Sequence, residues 1–200
     1  KSKLIFNNGQ CIISYNGLPI TKKENVSFAM CVDGKRYFSE LAHWEIKKET
    51  KDRLVAKGIW RNFPVEQIWE IETNGESSFV WIVKLRVNQE IDIEEGAIRF
   101  MCNQDYKYWF SEYAKGIFPE DFSENELDML QRCIPDGPIG LQSQNNKYPT
   151  LYLKFQKGSD NFAKIFNSDF YNKARILLIT KVQPEKNFKF VPGEYPWFCV

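Results

Sequence analysis

KGIWRNFPVEQIWEIETNGESSFVWIVKLRV, residues 57–87, holds the two longest β-type runs of the chain around its strongest short turn signal. Before the turn, Val65, Gln67, Trp69 and Ile71 alternate with Glu66, Ile68, Glu70 and Glu72. After it, Phe79, Trp81, Val83, Leu85 and Val87 make one unbroken apolar face, the period-2 pattern of a strand. Asn74 and Gly75 lie between the runs, and both residue types tolerate the positive φ of a tight hairpin turn. The stretch therefore predicts a β-hairpin. Val80 and Ile82 make the second strand apolar on its other face too, which predicts a central strand between two packed layers.

The same logic extends outward. Asn8-Gly9, Asn16-Gly17 and Asp33-Gly34 punctuate short runs at 4–6, 11–15, 26–32 and 36–40, and runs at 43–50 and 53–60 lead into the hairpin. Beyond it, 90–93, 97–102, 139–142, 150–156, 174–182, 188–191 and 195–200 also read as strands, while periodicity does not decide 160–170. The expectation is an all-β fold, a large antiparallel two-sheet β-sandwich with more than ten strands. One short helix is predicted near 124–132, because Ser123 and Glu126 make a capping box and Leu127, Leu130 and Ile134 share a helical face. The aromatic segment 105–113, DYKYWFSEY, leads into the irregular 116–122, GIFPEDF, and this turn-rich sequel reads as a loop over the sandwich. With no repeat and no linker-like tract, residues 1–200 are expected to form a single domain. The start at Lys1 and the end inside an apolar run suggest a piece of a longer polypeptide.

Composition narrows the functional classes. A chain of 200 residues that is 43% hydrophobic and 16% aromatic can bury a substantial core. Lys plus Arg number 27 against 26 Asp plus Glu, so no global field draws the domain to nucleic acid or to an anionic membrane. Neither partner is expected, and apolar runs such as 176–179 are too short to span a bilayer. Cys11, Cys31, Cys102, Cys133 and Cys199 are scattered and form no C-x-x-C pair, which argues against a zinc site or a disulfide framework and favours a reducing compartment. Asp92, Glu94 and Glu95 lack the spacing of a calcium loop. Neither metal nor cofactor is expected, and His43, the single histidine, leaves most catalytic triads without a member.

The order K-G-x-W-x-N-x-P-V-x-Q-x-W-E, then W-x-V-x-L-x-V, then D-Y-K-Y-W-F resembles the galactose-mutarotase-like β-supersandwich domains of carbohydrate-active proteins. The resemblance covers the strand pattern of the whole chain and implies a carbohydrate-associated domain. Catalytic members open the sugar ring with histidines and a carboxylate base, so a chain with His43 alone is not expected to be a mutarotase, and no catalytic residue is assigned.

The residues themselves offer a binding chemistry. Apolar sugar faces stack on Trp and Tyr rings, while carboxylates, amides and Arg bond the hydroxyls. Two mixtures fit: Trp60, Arg61, Asn62, Glu66, Trp69 and Glu70 near the hairpin, and Tyr106, Lys107, Tyr108 and Trp109 further on. Alternation assigns Trp69 and Trp81 to the core, whereas Trp60 and Trp109 have polar neighbours at segment ends. The expected ligand-binding set is Trp60, Arg61, Glu70, Tyr108 and Trp109. The leading expectation is a noncatalytic carbohydrate-binding or accessory domain, with a neighbouring domain of the same polypeptide as a further partner. The alternatives are a sugar epimerase or glycoside hydrolase working through carboxylates such as Glu66 and Glu70, and a protein-interaction domain docking through the acidic stretch 89–128.

Overall fold

The computed structural model describes residues 2–122, 127–128, 138–144, 147–155, 161–169, 173–183 and 186–200. Their strands fall into four sheets. A nine-stranded sheet contains β1 (Ser2–Asn7), β2 (Gln10–Tyr15), β3 (Leu18–Pro19), β4 (Thr21–Val32), β5 (Lys35–Phe38), β11 (Glu95–Cys102), β14 (Leu127–Asp128), β17 (Asn161–Ser168) and β18 (Ala174–Val182). Its order is β1-β2-β4-β11-β18-β17-β14, with β3 on β2 and β5 on β4. A five-stranded sheet contains β6 (His43–Glu49), β7 (Arg53–Ile59), β8 (Val65–Asn74), β9 (Ser78–Val87) and β20 (Gly193–Cys199), ordered β20-β9-β8-β7-β6. Four strands, β12 (Tyr106–Phe110), β13 (Lys115–Ile117), β15 (Ile139–Ser143) and β16 (Leu151–Leu153), form a smaller sheet in the order β13-β12-β15-β16. Finally, β10 (Ile91–Ile93) pairs with β19 (Phe188–Phe190). The pairings among the described residues are antiparallel, as the short connections predict.

The hairpin of β8 and β9 forms as its alternation requires. Val65, Gln67, Trp69 and Ile71 are buried, and across the pair so are Trp81, Val83, Leu85 and Val87. Fully burying the Val, Ile and Leu side chains among them contributes roughly 1.5–3 kcal/mol each. The turn is one residue longer than a two-residue loop: Asn74 pairs with Ser78, and Gly75 supplies the positive φ of 74°. The tight turns expected elsewhere do form, with both residues at positive φ in Asn8-Gly9, Asn16-Gly17 and Asp33-Gly34. Val80 and Ile82 are half-buried. Charged side chains of the neighbouring strands flank them, in place of the second packed layer that the sequence suggested.

The inner faces of the two large sheets meet through aromatic rings. Trp69 and Trp81 lie 4.5 Å apart edge to face, Trp81 reaches Phe100 of β11 at 6.3 Å, and Phe6 of β1 sits 5.8 Å from Trp69. Tyr106, Ile139 and Leu141 of the four-stranded sheet join the same apolar cluster. Arg175 of β18 fastens that sheet from beneath. It is 1% exposed; its Nε donates to the Tyr106 carbonyl at 3.1 Å, and its Nη1 donates to the Pro119 carbonyl at 3.1 Å and to Asn167 Oδ1 at 2.5 Å. The rings of Phe118 and Phe122 stand 4.6 and 4.1 Å from the guanidinium. Desolvation lowers the Arg175 pKa to about 10.

Two expectations change and one undecided stretch is resolved. Of the predicted helix near 124–132, the described residues are Leu127 and Asp128, and they are a strand, pairing with Asn167 and Phe166; Ser123 and Glu126 of the capping box lie outside the described residues. The aromatic segment 105–113, to which the sequence assigns no element, contains β12, and β13 enters the stretch expected to wander as a loop. The undecided stretch 160–170 contains β17.

Candidate functional site

The five expected ligand-binding residues do not converge. Trp60 is 5% exposed and therefore unavailable for stacking, which corrects its reading as a platform. Its Nε1 donates to the Phe38 carbonyl at 2.9 Å, and its ring meets Tyr37 and Phe63 edge to face at 6.1 and 5.8 Å. Arg61 is exposed in the turn beside it, next to Asn62 at φ 56°. Glu70 lies in the middle of β8 on the five-stranded sheet, while Tyr108 and Trp109 belong to β12 of the four-stranded one. As strand neighbours, Tyr108 and Trp109 point to opposite faces. Trp109 turns inward: its cross-strand partners are Gly116 and the fully buried Leu141, and its indole occupies the space a Gly116 Cβ would need.

The outer face around Glu70 is an ion ladder. Lys57 meets Glu66 at 2.8 Å; Arg86 lies between Glu66 at 3.8 Å and Glu194 at 3.0 Å. Arg53 bridges Glu70 and Glu72, each at 3.1 Å, and the Lys84 ammonium also bonds Glu70. The Lys84 hydrogen bond, helped by Arg53, holds the Glu70 carboxyl below its usual range despite partial burial. A glycosidase acid needs the opposite shift. This face is electrostatically self-satisfied.

Four acids of the stretch 89–128 are likewise engaged one by one. Glu94 accepts from the Gly34 amide at 2.9 Å and from the Cys31 thiol at 3.1 Å, Glu95 pairs with Arg36, Asp105 with Lys147 and Glu120 with Lys107. Burial, then the Glu94 carboxylate, pushes the Cys31 thiol up to about 11, so it carries little thiolate at neutral pH. Cys11, Cys31, Cys102 and Cys199 are free thiols. Among the described residues no group of His, Cys, Asp or Glu is arranged to hold a metal ion, and no helix is long and apolar enough to cross a membrane.

The outer face of the four-stranded sheet is different in kind. Cross-strand partners share a face, so register defines two rows: Ile117, Tyr108 and Gln142, then Lys115, Phe110, Gly140 and Tyr152. Ile117 is 70% and Tyr152 62% exposed, and Tyr108 and Phe110 are half-buried. Phe110 and Tyr152 lie 5.0 Å apart with their rings tilted 59°. Gly140 makes this possible. A Cβ there would sit 2.2 Å from Phe110 Cζ and 2.0 Å from the Leu151 carbonyl, so only glycine lets the ring lie across the strand. The result is an exposed aromatic platform. Lys107 and Gln144 at one end of the sheet, with Asp105, Ser143 and Lys147, line a cleft of about 280 Å³.

Of the five expected residues, Tyr108 is the one on this face, beside Phe110, Ile117 and Tyr152, which the sequence reading did not single out. The two tyrosines and Phe110 were visible as residue types, but their common face depends on the β12–β15–β16 pairing, which no local pattern announces. Compared with known proteins, the chain matches no family model, no curated protein and no solved structure.

Proposed function

We propose that this domain binds a carbohydrate on the outer face of the β13-β12-β15-β16 sheet and performs no chemistry on it, in line with the carbohydrate-associated role that the sequence resemblance implies. One observation carries the reading: Tyr108, Phe110 and Tyr152 form a contiguous, solvent-facing aromatic surface propped open by Gly140. Exposed aromatic patches of this kind mark binding surfaces, and flat rings edged by the Gln142 amide suit the apolar faces and hydroxyls of sugars. A noncatalytic role fits the ladder, because Glu66 and Glu70 are locked to cations rather than poised across a cleft.

The test is a glycan array followed by calorimetry on the best ligand, with Tyr108→Ala and Tyr152→Ala beside the parent. Each variant should weaken binding by about tenfold or more. Tyr152→Ala should leave stability within about 0.5 kcal/mol of the parent, because so little of the ring is buried. A parent domain that binds nothing on the array, or binding that both variants leave untouched, would sink the reading.

A further inference from the structure

Resting on that reading, charge says which sugars the platform takes. Among the described residues of its two rows, Lys115 is the ionised group, directly across from Phe110. Lys154 follows two residues after Tyr152 and is exposed. Neither lysine has an ion-pair partner among the described residues, in contrast to Lys57, Lys84, Arg53 and Arg86 on the ladder. Lys107 and Lys147 at the nearby cleft are already held by Glu120 and Asp105, and Glu112 lies off the rows in the turn between β12 and β13. From β13 to β16 there are three strand spacings, about 14 Å, so Lys115 and the Tyr152 edge bracket a surface long enough for several linked rings.

We propose that the ligand is an anionic glycan, its carboxylate or sulfate groups engaged by Lys115 at one edge of the platform and Lys154 at the other while the aromatic rings stack on the sugar faces. Charge complementarity favours this over a neutral sugar, since an acidic chain gives both lysines the partners that the described residues do not supply. It also favours a glycan over single-stranded nucleic acid. The chain carries a formal charge of only +1, and the platform offers isolated lysines rather than a basic track for a phosphate backbone.

Calorimetry at low salt should compare an oligogalacturonate with its carboxyl-reduced counterpart, and a sulfated galactan oligosaccharide with its desulfated form. The parent should prefer the charged member of at least one pair by roughly two- to tenfold, and the preference should shrink toward unity in about 1 M salt. Which pair shows it identifies carboxylate or sulfate as the group recognised. The double variant K115Q/K154Q should abolish the preference while binding the neutral counterpart as the parent does. Equal affinity for charged and neutral members would overturn the anionic assignment and leave the sugar reading standing. No binding to any of the four would overturn the anionic assignment, and a parent that also binds nothing on the glycan array, or binds a single-stranded oligonucleotide in place of glycans, would overturn both.

Discussion

Two of the outward-looking sheet faces among the described residues are built from alternation to opposite effect. On β7, β8, β9 and β20 the half-buried Val55, Ile68, Val80 and Ile82 are interleaved with Arg53, Lys57, Glu66, Glu70, Lys84, Arg86 and Glu194, each charged group with an opposite charge beside it. On β13, β12, β15 and β16 the outward positions are filled by Ile117, Tyr108, Phe110 and Tyr152, with Lys115 left without an ion-pair partner among the described residues. The first face has spent its interactions on itself; the second presents flat apolar rings and an open cation. Exposure alone therefore does not mark a binding surface. What marks it is whether the exposed groups already satisfy one another.

Substitutions should separate the two. The largest effect lies beneath the ladder, where Trp81 is 5% exposed and packs edge to face on Trp69 and Phe100. Trp81→Ala should destabilise the domain by about 3–5 kcal/mol in urea unfolding, and a variant that melts like its parent would mean the inner face is not the core of the five-stranded sheet. Next comes Gly140→Ala on the platform. The new methyl meets the Leu151 carbonyl and the Phe110 ring, so a loss of about 1–3 kcal/mol is expected, together with weakened glycan binding as Phe110 is displaced. Retained stability and retained binding would show that the ring does not need that saddle.

The smallest effect belongs to the ladder itself. Glu70→Gln should lower stability by about 1 kcal/mol or less at pH 7 and leave glycan binding unchanged. Because the fold depresses the Glu70 pKa, its contribution is present above the unfolded carboxylate value of about 4.3 and disappears as pH falls through the lower folded value. Unfolding curves of parent and variant should therefore converge in acid. If the gap instead widened as pH fell, the ladder would not be the source of the shift.

The region that sequence reasoning reads well is the one where local chemistry decides. Asn8-Gly9, Asn16-Gly17 and Asp33-Gly34 adopt the left-handed turns their residue types favour, and β8 and β9 bury the face their alternation marks. The platform escaped because β12 is apolar on both faces, Trp109 against the core and Tyr108 and Phe110 toward solvent. Such a run loses the period-2 signal, and the turn from Ser111 to Ala114 closes without glycine, asparagine or proline. Trp60 misled for a related reason. Arg61 and Asn62 are its polar neighbours in sequence, but the groups that bury it, Tyr37 and the Phe38 carbonyl, come from β5. Strand β17 was ambiguous because Asn167, a polar residue at its buried end, is recruited by Arg175 and the Pro119 carbonyl.

Arg175 has a kinetic corollary for the opposite side of the small sheet. A guanidinium that is 1% exposed and bonded to the Tyr106 carbonyl at the start of β12 and to Pro119 just past β13 cannot let go of either without stranding a desolvated cation. The hairpin that carries Tyr108, Phe110 and Ile117 is thus fastened at its base before any ligand arrives. A glycan meeting such a surface has little protein motion to wait for, so association should follow a single concentration-linear phase in stopped-flow fluorescence, with affinity differences among ligands residing in the dissociation rate.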